Sequence, residues 1–280
     1  MGELYVVSTP IGNLKDITFR AIDTLKEVDL IFSEDTRITK KLLSHLGIKR
    51  RIQSLNEHNE IKKTPKILQQ LSQGKSVALV SDAGTPLISD PGYCLVKQAR
   101  EKFFNVVPIP GCCAAIAALS VSGIATDKFY FHGFLPSSEL AQLKELDILA
   151  QRKETLIFYE SVHRLQSTIG HMIKIFDGDR KAVVCKEITK LHENYFGENL
   201  TEIDEFIKNN PKKIRGEFTI VIDGSKQKQA IIDRKKMDKI LLELLPEMPI
   251  KKAVKICVMV SGLSRNETYK RAVILKSLQT

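Results

Sequence analysis

The chain has 280 residues, 43% of them apolar, which suffices for substantial cores and roughly two domains. No apolar run approaches the ~20 residues that a membrane helix needs, and the N-terminus lacks the basic and long apolar segments of a signal peptide. The net charge is +10, and residues 226–280 alone carry 13 Lys/Arg and 5 Asp/Glu, a balance of +8. This uneven charge predicts that the C-terminal segment binds a polyanion, RNA or DNA, or else presents a solvated basic surface.

Several site classes are disfavoured by what the sequence lacks. The five cysteines are odd in number and scattered, and no CxxC or HExxH spacing occurs. The pattern supports neither a zinc site nor a disulfide framework, so we expect no metal, and a reducing cytoplasm fits best. Without GxxxxGK[ST], and without GxGxxG after the first strand, neither a P-loop nor the usual dinucleotide site is supported.

Residues 1–126 alternate short apolar strands with helices, and each of five strands is followed by a polar or glycine-rich loop. The loops are STPIGN, SEDTR, NEHN, SDAGTP and PIPGCC. Such alternation predicts a parallel sheet, and ligands bind outside the carboxyl ends of its strands, so the loops are expected to line one crevice. Residues 79–92 combine two prolines, two glycines and two aspartates, which predicts a ligand loop or, alternatively, a plain turn with a helix cap at Asp90.

The remaining chain predicts two further domains. Residues 127–225 again alternate strands and helices, with ESVHR and KEITKLHE after two of the strands. Residues 226–280 predict three helices after a polar linker, with Tyr269, Ala272 and Val273 directed inward on the last. The Gly262 break between the second and third helices is typical of a helix-turn-helix. The predicted fold class is α/β: two α/β domains plus a small C-terminal helical, helix-turn-helix-like domain.

The adjacent Cys112 and Cys113 open a predicted helix. A helix N-terminus lowers the pKa of a thiol, so one of the two is a candidate nucleophile. The alternative is that small residues there allow tight backbone contact with a ligand.

Nine stretches together resemble the tetrapyrrole methylase superfamily, and within it the members that act on ribosomal RNA. They are VSTPIGNLKDIT, SEDTR, LNEHNE, SDAGTPLISDPG, PIPGCCAAIAAL, FLP, ESVHR, KEITKLHE and RGEFTIVI, in this order. The resemblance implies a homodimer of two-domain α/β subunits that bind S-adenosylmethionine in the cleft between the domains. It further implies 2′-O-methylation of a cytidine ribose at the decoding centre of small-subunit (16S) ribosomal RNA, on the RNA or the 30S particle. The C-terminal helical domain would be the RNA-binding addition.

The resemblance also implies which residues contact the cofactor. Carried over position by position, they are Pro10, Ile11, Asp82, Ala83, Gly84, Thr85, Gly111, Cys112, Cys113 and Tyr159, with Phe218 or Thr219 as weaker candidates. The chain departs from its relatives at the cysteine pair, where a Ser or Thr hydroxyl is common. In this interpretation Asp90 and Gly92 only shape the helix that follows.

The implied reaction is in-line displacement of a sulfonium methyl group by a ribose 2′-oxygen. Positioning supplies much of the rate, and a general base adds about 10²- to 10⁴-fold. Glu187 is the favoured base, with Glu34 and Asp35 as further candidates by position. Other groups at the shared edge are Glu160, Glu193, His58, His163 and His192.

The cations expected to hold RNA phosphates are Arg37, Arg164, Lys186 and Lys190 near the cleft and Arg265, Lys270 and Arg271 in the tail. The alternative for SEDTR and KEITK is a set of structural salt bridges across the cleft. Two other functions stay open: a precorrin-like tetrapyrrole C-methyltransferase, and a non-catalytic RNA-binding protein of ribosome assembly.

Overall fold

A computed structural model describes residues 2–225, 230–261 and 264–277, apart from the side chains of residues 230–236, 261 and 267. The chain forms two compact units, residues 1–224 and 225–280. The first unit contains two five-stranded sheets, and the second is helical. No helix within the described ranges is long and apolar enough to cross a bilayer.

The first sheet is wholly parallel, as the sequence predicts, with the order β3-β2-β4-β1-β5. Its strands are Glu3–Val7 (β1), Leu30–Ser33 (β2), Arg51–Ser54 (β3), Val77–Val80 (β4) and Asn105–Ile109 (β5). The inner strands β2 and β4 are buried along their whole length. The all-apolar VALV of β4 fits that position, because helices cover both faces of a parallel sheet.

Five helices follow these strands, and the first four return the chain to the start of the next strand. They are Phe19–Glu27 (α1), Thr36–His45 (α2), Glu60–Ser72 (α3), Tyr93–Glu101 (α4) and Ala114–Val121 (α5). Side-chain caps fix two of the starts. Thr18 accepts the Ala21 N–H at 3.1 Å, and Asp35 accepts the Arg37 N–H at 2.8 Å. The five polar loops therefore meet at one edge, which confirms the predicted arrangement.

The second sheet is mixed, with the order β6-β7-β10-β8-β9. Its strands are Phe129–Phe134 (β6), Thr155–Ser161 (β7), Ala182–Lys186 (β8), Asn194–Phe196 (β9) and Glu217–Ile222 (β10). Only β6 and β7 pair in parallel: β10 lies between β7 and β8 and runs antiparallel to both, and β9 runs antiparallel to β8. Three helices accompany this sheet: Glu139–Leu149 (α6), Leu165–Phe176 (α7) and Leu200–Asn209 (α8).

Helix α5 joins the two halves of the first unit. It follows the last strand of the first sheet, yet Ala115, Ala118 and Leu119 pack in one core with residues of the second sheet, including Ile157 and Val221. The low bulk of alanine lets the helix lie close to the strands. The edge that carries the polar loops is thereby held against the second sheet.

The second unit is a three-helix bundle of Ala230–Leu244 (α9), Ile250–Ser261 (α10) and Arg265–Ser277 (α11). The inward side chains of α11 are Thr268, Ala272 and Leu275, at i, i+4, i+7 spacing. The prediction that Tyr269 and Val273 point inward is wrong, because the buried stripe lies one position earlier and both side chains are 44% exposed. The predicted Gly262 break lies outside the described residues.

Candidate active site

The loops after β1 and β4 form a two-residue antiparallel bridge. The Thr9 N–H donates to the Gly84 carbonyl at 2.8 Å, and the Gly84 N–H donates back to the Thr9 carbonyl at 3.1 Å. The Thr9 hydroxyl donates to the carbonyl of Ser81 at 3.2 Å. The STPIGN and SDAGTP loops are therefore one rigid element rather than two independent loops.

The loop after β5 is fastened to the same element. The Thr85 hydroxyl donates to the Cys112 carbonyl at 2.9 Å, which leaves its oxygen to accept from Ser8 Oγ, also at 2.9 Å. Gly111 lies so close to Ser8 that a Cβ on it would stand 2.8 Å from the serine Cβ. The approach of the two loops thus requires glycine at position 111.

A cavity of about 340 Å³ lies between these loops and the second sheet. Of the ten predicted cofactor contacts, six line it: Ile11, Ala83, Gly84, Thr85, Cys113 and Tyr159. The weaker candidates Phe218 and Thr219 line it too. Pro10 and Asp82 line an adjoining cavity of about 310 Å³, which shares Ile11, Ala83 and Glu217 with the first. Gly111 and Cys112 line neither cavity. Their backbone instead packs against Ser8 and accepts the hydrogen bond from Thr85, and so supports the loops that line the cavities.

Tyr159 on β7 forms a wall of the main cavity and ties it to α5. Its hydroxyl oxygen accepts the Ala115 N–H at 3.1 Å, and its ring meets Phe131 edge-on at 5.0 Å between centroids. Burial raises the pKa of this phenol. The group is therefore a neutral hydrogen-bonding anchor rather than a proton acceptor at neutral pH.

The environment of Cys112 contradicts the predicted activation of a thiol. Burial, with the nearby charge of Asp16, raises the pKa of Cys112 instead of lowering it. Its Sγ lies 3.4 Å from the Asp16 carbonyl oxygen. Cys113 is the N-cap residue of α5 and makes no side-chain capping bond. The desolvation of Cys112 outweighs any effect of the helix terminus.

Carboxylates from the loops after β2 and β4 form an acidic patch. Asp82 Oδ1 accepts the Asp35 N–H at 2.9 Å. Burial, together with the charge of Asp82, raises the pKa of Glu34, and burial also raises the pKa of Asp82. Arg37 binds Asp35 through two nitrogens at 2.6–3.1 Å and lowers the pKa of that carboxyl to about 2. The predicted salt bridge of SEDTR is thus local to its own loop.

Glu187 accepts two hydrogen bonds with the same oxygen. Lys190 Nζ and the Glu217 N–H each lie 2.9 Å from Oε1, and Lys190 also reaches Glu217 Oε2 at 2.9 Å. Partial burial opposes ionisation of Glu187, but the hydrogen bond from Lys190 and that from the Glu217 backbone outweigh it and lower the pKa. The carboxylate is held ionised in a structural cluster and lines neither cavity.

The KEITK loop also crosses to the first half of the unit. The Asn13 N–H donates to Thr189 Oγ1 at 3.1 Å, and the Lys190 stem packs against Gly12, where any Cβ would collide with it. Glu187 and Thr189 hold left-handed backbone conformations, with φ of 49° and 68°. Strain of this kind persists where surrounding contacts over-determine the loop.

Two predicted phosphate ligands are occupied by backbone carbonyls. Arg164 Nη2 donates to the carbonyls of Leu135 and Pro136, both at 2.9 Å, and so joins the FLP and ESVHR segments. Lys186 Nζ donates to the Lys213 carbonyl at 2.7 Å. Contacts of Arg164 and Lys186 with RNA stay a prediction. A phosphate would have to replace these hydrogen bonds in order to bind either side chain.

In the helical unit, Arg265 and Lys270 are exposed and line a small cavity of about 270 Å³ with Asn266 and Tyr269. Arg271 instead holds Asp238 through two hydrogen bonds at 2.8 and 2.6 Å. The geometry leaves Arg265 and Lys270 available to a polyanion and commits Arg271 to joining α11 with α9.

Asp90 does not cap the helix after its loop, so the alternative of a plain turn with a helix cap at Asp90 is wrong. The N-cap residue of α4 is Gly92, and Asp90 lines the main cavity instead. Burial raises the pKa of Asp90 to about 6, and Glu34 and Asp82 add to the effect while a hydrogen bond with Ser81 opposes it. The sequence signal was available, because Asp90 lies in the same strand-end loop that singled out Asp82.

Comparison with known proteins agrees with this geometry. Residues 3–204 match the family Tetrapyrrole (Corrin/Porphyrin) Methylases. The chain belongs to the tetrapyrrole methylase family. Residues 233–276 match the RsmI C-terminal HTH domain, which confirms the predicted helix-turn-helix-like addition. Family membership supports S-adenosylmethionine as the methyl donor, as the resemblance implied.

Curated relatives match over almost the whole chain and carry the name ribosomal RNA small subunit methyltransferase I. The protein of Pasteurella multocida (strain Pm70) is 45% identical over 269 residues, 96% of this chain and 95% of the relative. That of Escherichia coli O157:H7 is 42% identical over 272 residues, 97% of this chain and 95% of the relative.

Solved structures share the fold of the two sheets. The methyltransferase CobJ superposes with a TM-score of 0.60 at 15% identity, covering 80% of this chain and 95% of its own. A uroporphyrin-III C-methyl transferase from Thermus thermophilus, solved with S-adenyl homocysteine, gives 0.57 at 17% identity, covering 79% and 97%. These neighbours leave about a fifth of this chain unmatched.

Proposed function

We propose that this methyltransferase transfers a methyl group from S-adenosylmethionine to the 2′-oxygen of a cytidine ribose in small-subunit ribosomal RNA, at the decoding centre. One observation carries the proposal: relatives named for ribosomal RNA span the chain including its tail. Residues 233–276 match the RsmI C-terminal HTH domain, whereas the solved structures of the fold cover 79–80% of this chain. The basic composition of residues 226–280 fits a polyanionic substrate.

The cavity residues fit the cofactor. S-adenosylmethionine when bound supplies an electrophilic methyl group on a sulfonium sulfur. Ile11, Ala83 and Phe218 offer apolar and small surfaces that suit an adenosine, while Asp82 offers a carboxyl to a cationic ligand. The loops that carry these residues are fastened to one another before any ligand arrives, so little ordering cost remains at binding.

The proposed RNA substrate would be bound by cations at the mouth of the cleft and in the C-terminal segment. Lys190 lines the adjoining cavity, and Arg265 and Lys270 are exposed on α11. Phosphate contacts of this kind set the position and orientation of an RNA without reading its sequence. Action on the ribosome would place the protein in the cytoplasm, in ribosome biogenesis. The resemblance further implies a homodimer, which light scattering after size exclusion would test.

The discriminating experiment supplies tritiated S-adenosylmethionine together with small-subunit particles, bare ribosomal RNA or a precorrin in separate reactions. We expect label in the RNA of at least one ribosomal substrate and none in the precorrin. Label in the precorrin would support a tetrapyrrole C-methyltransferase. An absence of label in every reaction would support a non-catalytic assembly factor.

The tail contribution is tested by removing two of its charges. In the double variant Arg265→Ala, Lys270→Ala, each lost phosphate contact should reduce the slope of log K against log salt by about 0.7–0.9. The matched control removes two exposed lysines of the first unit, Lys66 and Lys102, and should leave the slope unchanged. Equal slopes in both double variants would remove α11 from the RNA interface.

A further inference from the structure

The Leu87–Pro91 segment of the cavity loop is held in an unusual conformation. Leu87 and Ser89 both have positive φ, 73° and 66°, although neither is glycine. Non-glycine residues adopt this region only at a cost in strain, and such strain clusters at functional sites. The segment is therefore fixed by its surroundings rather than by its own preferences.

The surroundings that fix it lie on the second sheet. The pairing of β6 with β7 shifts register between Phe131 and Gly133, and Gly133 has φ of 77°. A Cβ on Gly133 would stand 2.9 Å from Ser89 Oγ, so the bulge brings the second sheet against this loop, and a side chain at position 133 would displace the Ser89 hydroxyl. Ser89 and the next residue, Asp90, both line the cavity between the two sheets.

Asp90 differs from the other acidic groups of that cavity. Glu160 accepts from the Ser161 N–H at 2.8 Å and the Thr168 hydroxyl at 2.7 Å, with Arg164 at 3.5 Å. Glu217 is paired with Lys190. Among the residues that the structure describes, no cation lies within ion-pair distance of Asp90, so its carboxylate is not neutralised and remains able to accept a proton.

Two other titratable groups of the cavity, the Cys185 thiol and the Tyr159 phenol, stay protonated at neutral pH and so cannot accept the proton of a hydroxyl. Burial raises the pKa of the Cys185 thiol to about 12 and raises that of the Tyr159 phenol as well. Glu34 and Asp82 approach Asp90 from the loops after β2 and β4, and Tyr159 faces it from β7. Burial raises the pKa of the Asp90 carboxyl to about 6, within the range in which a general base works at neutral pH.

From this geometry we propose that Asp90 is the general base of the reaction, a role that rests on the proposed ribose methylation. The carboxylate takes the proton of the 2′-hydroxyl while a lone pair of the 2′-oxygen forms the new bond to the methyl carbon. The carbon–sulfur bond breaks with its electron pair going to sulfur, which leaves a neutral thioether. The products are the methyl ether, the thioether and the protonated Asp90, which returns its proton to solvent.

The test measures single-turnover methyl transfer to small-subunit particles at saturating cofactor from pH 5 to 8. The wild-type rate should fall about tenfold per pH unit below an apparent pKa near 6, because the base must be ionised. In Asp90→Asn the rate should drop about 10²- to 10⁴-fold and lose that acid limb. Asp23→Asn, exposed on α1, should behave as the wild type.

Three further readouts separate a base from a structural or cofactor-holding residue. Calorimetric titration should give S-adenosylmethionine affinity for Asp90→Asn within a few-fold of the wild type. Carbon-13 NMR of labelled aspartate carboxyls should show one group titrating near pH 6 that is absent from the variant. Asp90→Ala, made in case the asparagine variant folds poorly, should regain part of its rate with added formate.

The outcomes are distinct. A wild type that transfers no methyl to RNA overturns both the proposed function and this assignment. An active wild type with a flat rate from pH 5 to 8, or with Asp90→Asn equally fast, overturns the role of Asp90 alone. A variant that loses cofactor affinity but keeps its rate at saturation overturns it as well, because the residue would then hold the cofactor.

Discussion

Replacing Glu187 with glutamine separates the sequence-based choice of base from the structural role that its contacts indicate. Glutamine keeps an oxygen able to accept from Lys190 Nζ and from the Glu217 N–H, both at 2.9 Å in the wild type. It removes the negative charge of the acceptor, and with it the ion pair with Lys190, while the charge of the lysine remains. The expected consequence is a loss of stability with little loss of methyl transfer.

The size of that loss follows from the burial of the pair. The side chains of Glu187 and Lys190 are 18% and 27% exposed, so solvent screens them only partly. Hydrogen bonds to charged groups contribute about 1.5–3 kcal/mol, and the neutral equivalents about 0.5–1.5 kcal/mol. The difference predicts a decrease of about 1–2 kcal/mol in the free energy of unfolding, or about 2–8 °C in Tm for a unit of this size.

The pH dependence has a definite sign. The pKa of Glu187 is lowered in the folded state, so its contribution is fully present above the unfolded value of about 4.3 and is lost as pH falls through the folded pKa. The difference in stability between wild type and Glu187→Gln should therefore stay constant from pH 8 to about 5 and shrink below about 4.3.

Thermal unfolding followed by circular dichroism, paired with single-turnover transfer, checks this reasoning. Glu205→Gln, an exposed carboxylate on α8, serves as the control and should match the wild type in both assays. If Glu187→Gln melted with the wild type while transfer fell by the roughly 10²-fold or more that loss of a base costs, Glu187 would be the base and its structural role would be refuted.

Three further substitutions test the walls of the cleft. Tyr159→Phe leaves the Ala115 N–H without its acceptor, and should cost about 1–3 kcal/mol in unfolding free energy and weaken cofactor binding in calorimetry. Arg164→Lys cannot reproduce the guanidinium bonds, so Tm should fall by several degrees while RNA affinity at fixed salt holds; the reverse pattern would make Arg164 a phosphate ligand. Gly111→Val would force the loop after β5 away from Ser8, and we expect at least tenfold weaker S-adenosylmethionine binding in a chain that still folds. Unchanged affinity would contradict the idea that the close contact between these two loops shapes the cofactor site.

The sequence predicted the part of the architecture that depends on local patterns. Alternating strands and helices with short loops dictated a parallel sheet, and five strand-end loops therefore had to meet at one edge. The register shift at Gly133 and the antiparallel entry of β10 depend on contacts between distant segments. No local pattern specifies such contacts, so the mixed character of the second sheet was not predictable.

The same limit explains which site residues were misjudged. Six of the cofactor positions line the cavity because they lie in loops whose location the sheet topology fixes. The position of Asp90 depends on strained φ values and on a bulge in another sheet. The pKa of the Cys112 thiol was misjudged for a similar reason. The sequence shows that the residue lies near the start of a helix, but it does not show the burial that raises the pKa.

The most direct test of the central claim is the identity of the methylated nucleoside. Ribosomal RNA labelled by the wild-type protein with tritiated S-adenosylmethionine would be digested to nucleosides and separated by chromatography. The account predicts that the label elutes with 2′-O-methylcytidine. Label on a base, on a different ribose, or in no nucleoside at all would contradict it.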